Sequence, residues 1–139
     1  SITMLKKFTN KKGFTLMEML IVVAIIAVLV AIAIPTFASQ LNKARVSTDE
    51  ANIRSGYADV MLKVLTEEDG PVVDNTVFTL KKDGTVATGT VADTDAYKTK
   101  GAPGAAVDIS GVSVATWDKD AKVTYTVIGG KINKIEVKK

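Results

Sequence analysis

From Met19 to Ile34 every position is apolar, MLIVVAIIAVLVAIAI. Widened to Phe14–Ile34, the run holds two polar residues, Thr15 and Glu18. As a helix at about 1.5 Å per residue it would reach about 32 Å, which matches a bilayer core of about 30 Å. After Pro35 the pattern changes. Phe37, Leu41, Ala44, Ile53, Tyr57, Val60, Met61, Val64 and Leu65 recur at helical spacing, and Lys43, Arg45, Asp49, Glu50, Arg54, Asp59 and Lys63 are expected on the opposite, solvated face. This predicts an amphipathic helix that continues the apolar one, kinked at Pro35, where the ring lacks an N–H and crowds the preceding turn. Gly70-Pro71 stops it.

Beyond residue 75 the period shortens to two. The stretch NTVFTLKKDGTVATGTVA reads as a hairpin, turned by Asp83-Gly84 as the two central residues, with Ala87 opposite Leu80. Residues 92–104, ADTDAYKTKGAPG, have no period and read as an exposed loop. DISGVSVATW, KVTYTVI and INKIEVK are three further strand candidates, with Asp118 to Ala121 joining the first two. The last hairpin turns at Gly129-Gly130. A two-residue loop would set Val123 opposite Glu136. A three-residue loop pairs Val123 with Val137, Tyr125 with Ile135 and Ile128 with Ile132, and it separates apolar from polar residues better. The expected architecture is α+β: a long N-terminal α-helix, half transmembrane and half amphipathic, packed on a C-terminal antiparallel sheet. Its segments are a basic leader over 1–13, a membrane helix over 14–35, an amphipathic helix over 36–66 and a β-rich domain over 67–139.

Charge refines the N-terminal end. The net charge is +3. Lys6, Lys7, Lys11 and Lys12 all lie in the first thirteen residues, and the remainder carries fourteen Lys+Arg against fifteen Asp+Glu. The basic character belongs to the leader, which predicts a cytoplasmic N-terminus. No basic stripe interleaves with aromatics, so no nucleic-acid surface is expected. The sequence has no cysteine and no histidine. Disulfides, thiol nucleophiles, imidazole bases and the usual zinc ligands are therefore excluded. No enzymatic constellation emerges: Asp108 and Ser110 share a strand candidate, but nothing orients a base. Asp118 and Asp120 are the sole acid pair at the last turns, flanked by Lys119 and Lys122, against the six or more oxygens that calcium wants. Neither a metal nor a cofactor is expected.

Three readings compete for the apolar run. One is a plain signal anchor. Another is a cleaved signal peptide ending near Thr36-Phe37-Ala38, against which stand the length of the run and the helical pattern beyond it. The third starts from KKGFTLMEML, residues 11–20, which resembles the processing site of type IV prepilins and of their type II secretion and competence relatives. Gly13, Phe14, Thr15, Leu16 and Glu18 match the family pattern in order, Glu18 falling at the fifth mature position. Pro35 falls at the twenty-second, where many members carry proline. The resemblance covers residues 6 to 60.

The resemblance implies that a prepilin peptidase cuts between Gly13 and Phe14 and N-methylates Phe14. It implies that Glu18 of an incoming subunit meets the Phe14 amine of its neighbour. A carboxylate is costly in hydrocarbon unless paired, which gives assembly a register and a drive. Two simpler readings of Glu18 stay open: a carboxylate that reaches water, and one that favours the N-terminal end of the helix dipole. Further implications are polymerisation with other pilin subunits, an assembly platform and ATPase as partners, residence in the cytoplasmic membrane before assembly and an extracellular pilus after it. A pseudopilin of a secretion or DNA-uptake system is the alternative. The absence of the C-terminal disulfide loop common in Gram-negative pilins favours another source.

Overall fold

The computed structural model describes residues 15–139. One helix, α1, runs Leu16–Thr66. Six strands follow: β1 (Thr76–Leu80), β2 (Val86–Thr88), β3 (Val107–Ile109), β4 (Val112–Val114), β5 (Lys122–Ile128) and β6 (Lys131–Lys138). The chain separates into two compact units, one ending at Gln40 and one spanning 41–139. Within the second, the C-terminal part of α1 is covered by an antiparallel sheet of order β2-β1-β5-β6, with β3-β4 as a separate two-stranded ribbon. The expected α+β fold is the one observed.

The buried stripe of α1 is Asp49, Ile53, Gly56 and Val60, with Val46 and Val64 half-buried at its ends. The sheet's inner face supplies Phe78, Leu80, Val86, Val123, Tyr125, Val127, Ile132, Ile135 and Val137, all buried. Burying each large apolar side chain contributes about 1.5–3 kcal/mol. This core excludes three residues assigned to the stripe from spacing, since Phe37, Ala44 and Leu65 are exposed. It also includes Asp49, which the pattern placed on the solvated face.

The helix ends at Thr66, ahead of Gly70-Pro71. Glu67 takes the left-handed conformation that closes a helix, φ 50°, and its N–H donates to Lys63 O at 3.0 Å.

The first hairpin differs from expectation by one residue of register. Leu80 pairs with Val86 and Thr79 with Ala87. Lys81 N–H donates to Thr85 O, which leaves a three-residue loop, Lys82-Asp83-Gly84. Of these only Gly84 has positive φ, at 86°. A two-residue Asp83-Gly84 loop needs positive φ at both positions; the longer loop spares Asp83 that cost and puts Val86 rather than Ala87 beside Leu80 in the core.

The stretch 108–117, expected as one strand, is a hairpin. Ser110 (φ 50°) and Gly111 (φ 90°) form its turn, and Ile109 pairs with Val112.

At the last hairpin both registers occur. Val123 pairs with Val137 and Tyr125 with Ile135, as expected; nearer the turn Val127 pairs with Ile132 and Ile128 with Lys131, not Ile132. A bulge at Asn133 joins the two parts. Its cause is parity. Ile132 and Ile135 are three apart and cannot share a face of a regular strand, so one extra residue is needed to bury both. The loop is then Gly129-Gly130, both at positive φ.

Candidate functional site

The first described turns of α1 carry Glu18. Its Oε2 accepts the Thr15 N–H at 3.1 Å, and the Glu18 N–H is accepted by Thr15 Oγ1 at 3.2 Å. This is a reciprocal capping box, Thr-x-x-Glu, which satisfies two backbone donors that a helix start leaves unpaired. Of the two simpler readings of Glu18, the helix-terminal one thus has a geometric basis. The carboxylate has a hydrogen bond and no countercharge among the described residues. Gly13, Phe14 and the leader lysines Lys6, Lys7, Lys11 and Lys12 lie outside the described residues, so the bond between Gly13 and Phe14 is not located.

From Leu16 to Gln40 the helix is exposed on every side. Leu16, Ile21, Ile25, Leu29, Ile32 and Ile34 each show more than half their surface. An 18-residue window of mean hydropathy 3.0 makes α1 long and apolar enough to cross a membrane. So large an apolar surface has no place in water.

Pro35 lies inside the helical span. It offers no N–H to the Ala31 carbonyl, one turn earlier. One residue on, Thr36 Oγ1 donates to Ile32 O at 3.1 Å. The helical assignment nevertheless runs unbroken to Thr66.

A second constellation escaped the sequence reading. Asp49 is fully buried and accepts four hydrogen bonds. Oδ1 takes the Tyr97 hydroxyl at 2.6 Å and the Lys100 N–H at 2.8 Å; Oδ2 takes the Gly101 N–H at 2.9 Å and the Trp117 indole N–H at 3.3 Å. Seven residues earlier, Asn42 reads the same segment: Nδ2 donates to Ala102 O at 3.0 Å, and Oδ1 accepts the Ala102 N–H at 3.1 Å. Thr99 ties the segment to the next loop. Its Oγ1 donates to Asp118 O and accepts the Ala121 N–H, at 2.7 and 2.9 Å. The stretch 92–104 is therefore not an exposed loop. Ala96, Tyr97 and Thr99 within it are buried. Burial, then the bond to Asp49, hold the Tyr97 hydroxyl well above its usual range of ionisation.

A signal for this site was present. Asn42, Val46, Asp49, Ile53, Gly56 and Val60 follow one another at spacings of three and four, so Asp49 is in phase with Ile53 and Val60. Residue type had outweighed phase. Asp59, also placed on the solvated side, turns inward to accept the Val86 N–H at 2.8 Å. Asp118 and Asp120 do not converge with further acids: among the described residues no three His, Cys, Asp or Glu side chains cluster to hold a metal.

Comparison with known proteins bears on the first site. The family described as prokaryotic N-terminal methylation motif matches residues 8–34. The chain is 52% identical over 50 residues to the type IV narrow pilus major component PilA5 of Thermus thermophilus, an alignment covering 34% of this chain and 43% of that one. It is 29% identical over 124 residues to the type IV major alpha-pilin of Moraxella bovis, covering 89% of this chain and 72% of that one. The chain thus spans less than half the length of the first relative and most of the second. No solved structure matches. Methylation motif, long apolar helix and helix-on-sheet domain together match the architecture that the resemblance to pilins implies. The chain carries that motif over residues 8–34 and is similar to these type IV pilins.

Proposed function

We propose that the protein is a structural subunit that polymerises into an extracellular type IV pilus. A prepilin peptidase cuts between Gly13 and Phe14 and methylates the new amine. The mature chain waits in the cytoplasmic membrane with its N-terminus inside, and an assembly platform and its ATPase add it to the filament base. There the Phe14 amine of one subunit and the Glu18 carboxylate of the next pair as ions. Among the described residues the Glu18 carboxylate has the Thr15 N–H as its partner, a hydrogen bond without a cation. Polymerisation supplies the cation, and in low dielectric that difference favours the assembled state.

The observation that carries this reading is the apolar surface of α1 from Met19 to Ile34, exposed all round within the segment that matches the methylation motif. Lipid covers it before assembly, and copies of the same helix cover it afterwards. Pro35, with its missing N–H, gives the helix a hinge between its membrane part and the part that carries the sheet. The two relatives named as major pilus components favour a pilus over a pseudopilin. Nothing in this role asks for an enzymatic site.

Intact mass and N-terminal peptide mapping, on membranes and on material sheared from the cell surface, test it. A chain that begins at Phe14 with one added methyl, recovered in the sheared fraction, is expected. A chain that keeps Lys11-Lys12-Gly13 and stays in the membrane would sink the proposal.

A further inference from the structure

Four donors converge on Asp49 from three separate parts of the fold: the Tyr97 side chain, the Lys100 and Gly101 backbone, and the Trp117 indole. We propose that this convergence is a built carboxylate-binding site, filled in cis by Asp49, and that its occupancy positions the segment 97–101 and Trp117 against α1. The sequence has no cysteine, so no disulfide does that work.

The site is specific for an acceptor-only group. Each Asp49 oxygen faces two donors, and an ionised carboxylate can accept at about four positions. An amide of the same shape would turn an NH2 group against two donors, leaving them unpaired in the buried interior. Packing alone would treat Asp and Asn alike; this site does not.

The fit is close elsewhere as well. A Cβ on Gly101 would stand 2.7 Å from Val46 N, so the chain reaches the carboxylate only because residue 101 has no side chain. Among the described residues no cation pairs with Asp49, whose partners are all hydrogen-bond donors of neutral groups. Charge-assisted bonds of this kind are about twice as strong as neutral ones. The sheet has its own contacts with the helix: Tyr125 and Leu80 meet α1 at Ile53 and Gly56, further along. Backbone bonds from Tyr97 N–H to Leu80 O and from Thr99 N–H to Ala121 O also hold the segment from the sheet side, so losing Asp49 should loosen residues 97–101 and Trp117 against α1 and leave the four-stranded sheet in place.

Two reporters are built in. Trp117 is the sole tryptophan, so its emission reads the site directly. Lys98 and Lys100 place two trypsin sites inside the positioned segment.

The test uses the full-length protein in detergent micelles. In Asp49→Ala, cleavage after Lys98 and Lys100 should accelerate by about tenfold or more, and Trp117 emission should shift to the red, while far-ultraviolet circular dichroism holds. Asp49→Asn should behave like Asp49→Ala. Sodium formate should then restore both readouts in Asp49→Ala, and formamide or sodium chloride of equal ionic strength should not. An Asp49→Asn protein indistinguishable from wild type, or recovery by formamide as good as by formate, would overturn the proposal. If neither variant folds, folded yield is read instead: recovery when formate is present during refolding supports the site, and a loss that formate cannot repair refutes it.

Discussion

The Tyr125 hydroxyl, on the central strand β5, donates to the Ile53 carbonyl of α1 at 2.6 Å. The bond is possible because Gly56 lies one turn on. A Cβ there would stand 2.2 Å from the Tyr125 oxygen and 2.8 Å from Leu80 Cδ1. Burial pushes the Tyr125 hydroxyl above its ordinary range of ionisation.

Gly56→Ala should therefore destabilise the domain. Helix propensity favours alanine by about 1 kcal/mol, but overpacking a filled contact costs about 1–3 kcal/mol. Tyr125 is wholly buried and cannot swing away, so overpacking should prevail. Tyr125→Phe removes the clashing oxygen at the cost of a hydrogen bond of about 1 kcal/mol. Thermal unfolding of both single variants and the double should show the pair less destabilised than the sum. Additive losses would mean that the two residues do not meet.

Turn chemistry gives a second expectation. Gly84 stands at φ 86° with Ser55 Oγ 3.2 Å from where a Cβ would be. Gly84→Ala should cost about 1 kcal/mol or more. Asp83→Gly tests the register itself, because Asp83 has no positive φ to relieve. Its carboxylate accepts the Thr85 N–H and hydroxyl, at 3.0 and 2.6 Å, so this change should destabilise. Stabilisation by Asp83→Gly, read from the unfolding midpoint, would favour the two-residue loop instead.

These cases mark how far the sequence was legible. Hydrophobic period located α1, β1, β5 and β6, because long amphipathic or alternating runs have one way to bury their apolar side. It did not decide register, which turns on single residues: whether Val86 or Ala87 faces the core, or whether Ile132 can join Ile135. Ser110-Gly111 was read through, although two adjacent residues suited to positive φ mark a turn. Asp49 was misplaced for a different reason. A buried carboxylate is expensive unless its donors are supplied, and those come from residues 48 to 68 positions away. Local pattern carries no record of them. Glu18 was found because its neighbours form a motif, while its capping box needs only the Thr15-x-x-Glu18 spacing.

Surface acids set the response to pH. Asp93 is held below the usual carboxylate range by Lys122, with Lys98 adding to it; Asp83 by its bonds from Thr85; Glu136 by Lys134. Each is lower in the folded chain than in the unfolded one. The stabilisation they supply is therefore complete above the ordinary carboxylate pKa of about 4 and is lost as pH falls through the folded values. Lys63 acts in the opposite sense. Its bond to Asp69 raises its pKa, so its contribution is present at neutral pH and disappears as pH rises through the folded value, above about 10.4. The melting temperature should be level from about pH 5 to 7 and fall below about pH 4. Asp93→Asn should shrink that acid-side fall. An equally steep fall in the variant would assign the acid response to other groups.

Glu18 serves two purposes at once in this account, and two substitutions separate them. Glutamine can fill the N3 position of a capping box, since its side-chain oxygen still accepts the Thr15 N–H, but it brings no charge. Thr15→Ala does the reverse: it removes the hydroxyl that accepts the Glu18 N–H, at a cost of about 1 kcal/mol to the helix start, and leaves the carboxylate intact. If the ion pair with a neighbour's Phe14 amine drives assembly, Glu18→Gln should insert and be processed normally yet leave the sheared surface fraction nearly empty. Thr15→Ala should still yield filaments. If capping is all that Glu18 does, the order reverses: the glutamine variant assembles and the alanine variant is the impaired one. Quantifying mature subunit in membrane and sheared fractions for both variants decides between them, because each hypothesis predicts which of the two strains lacks filaments.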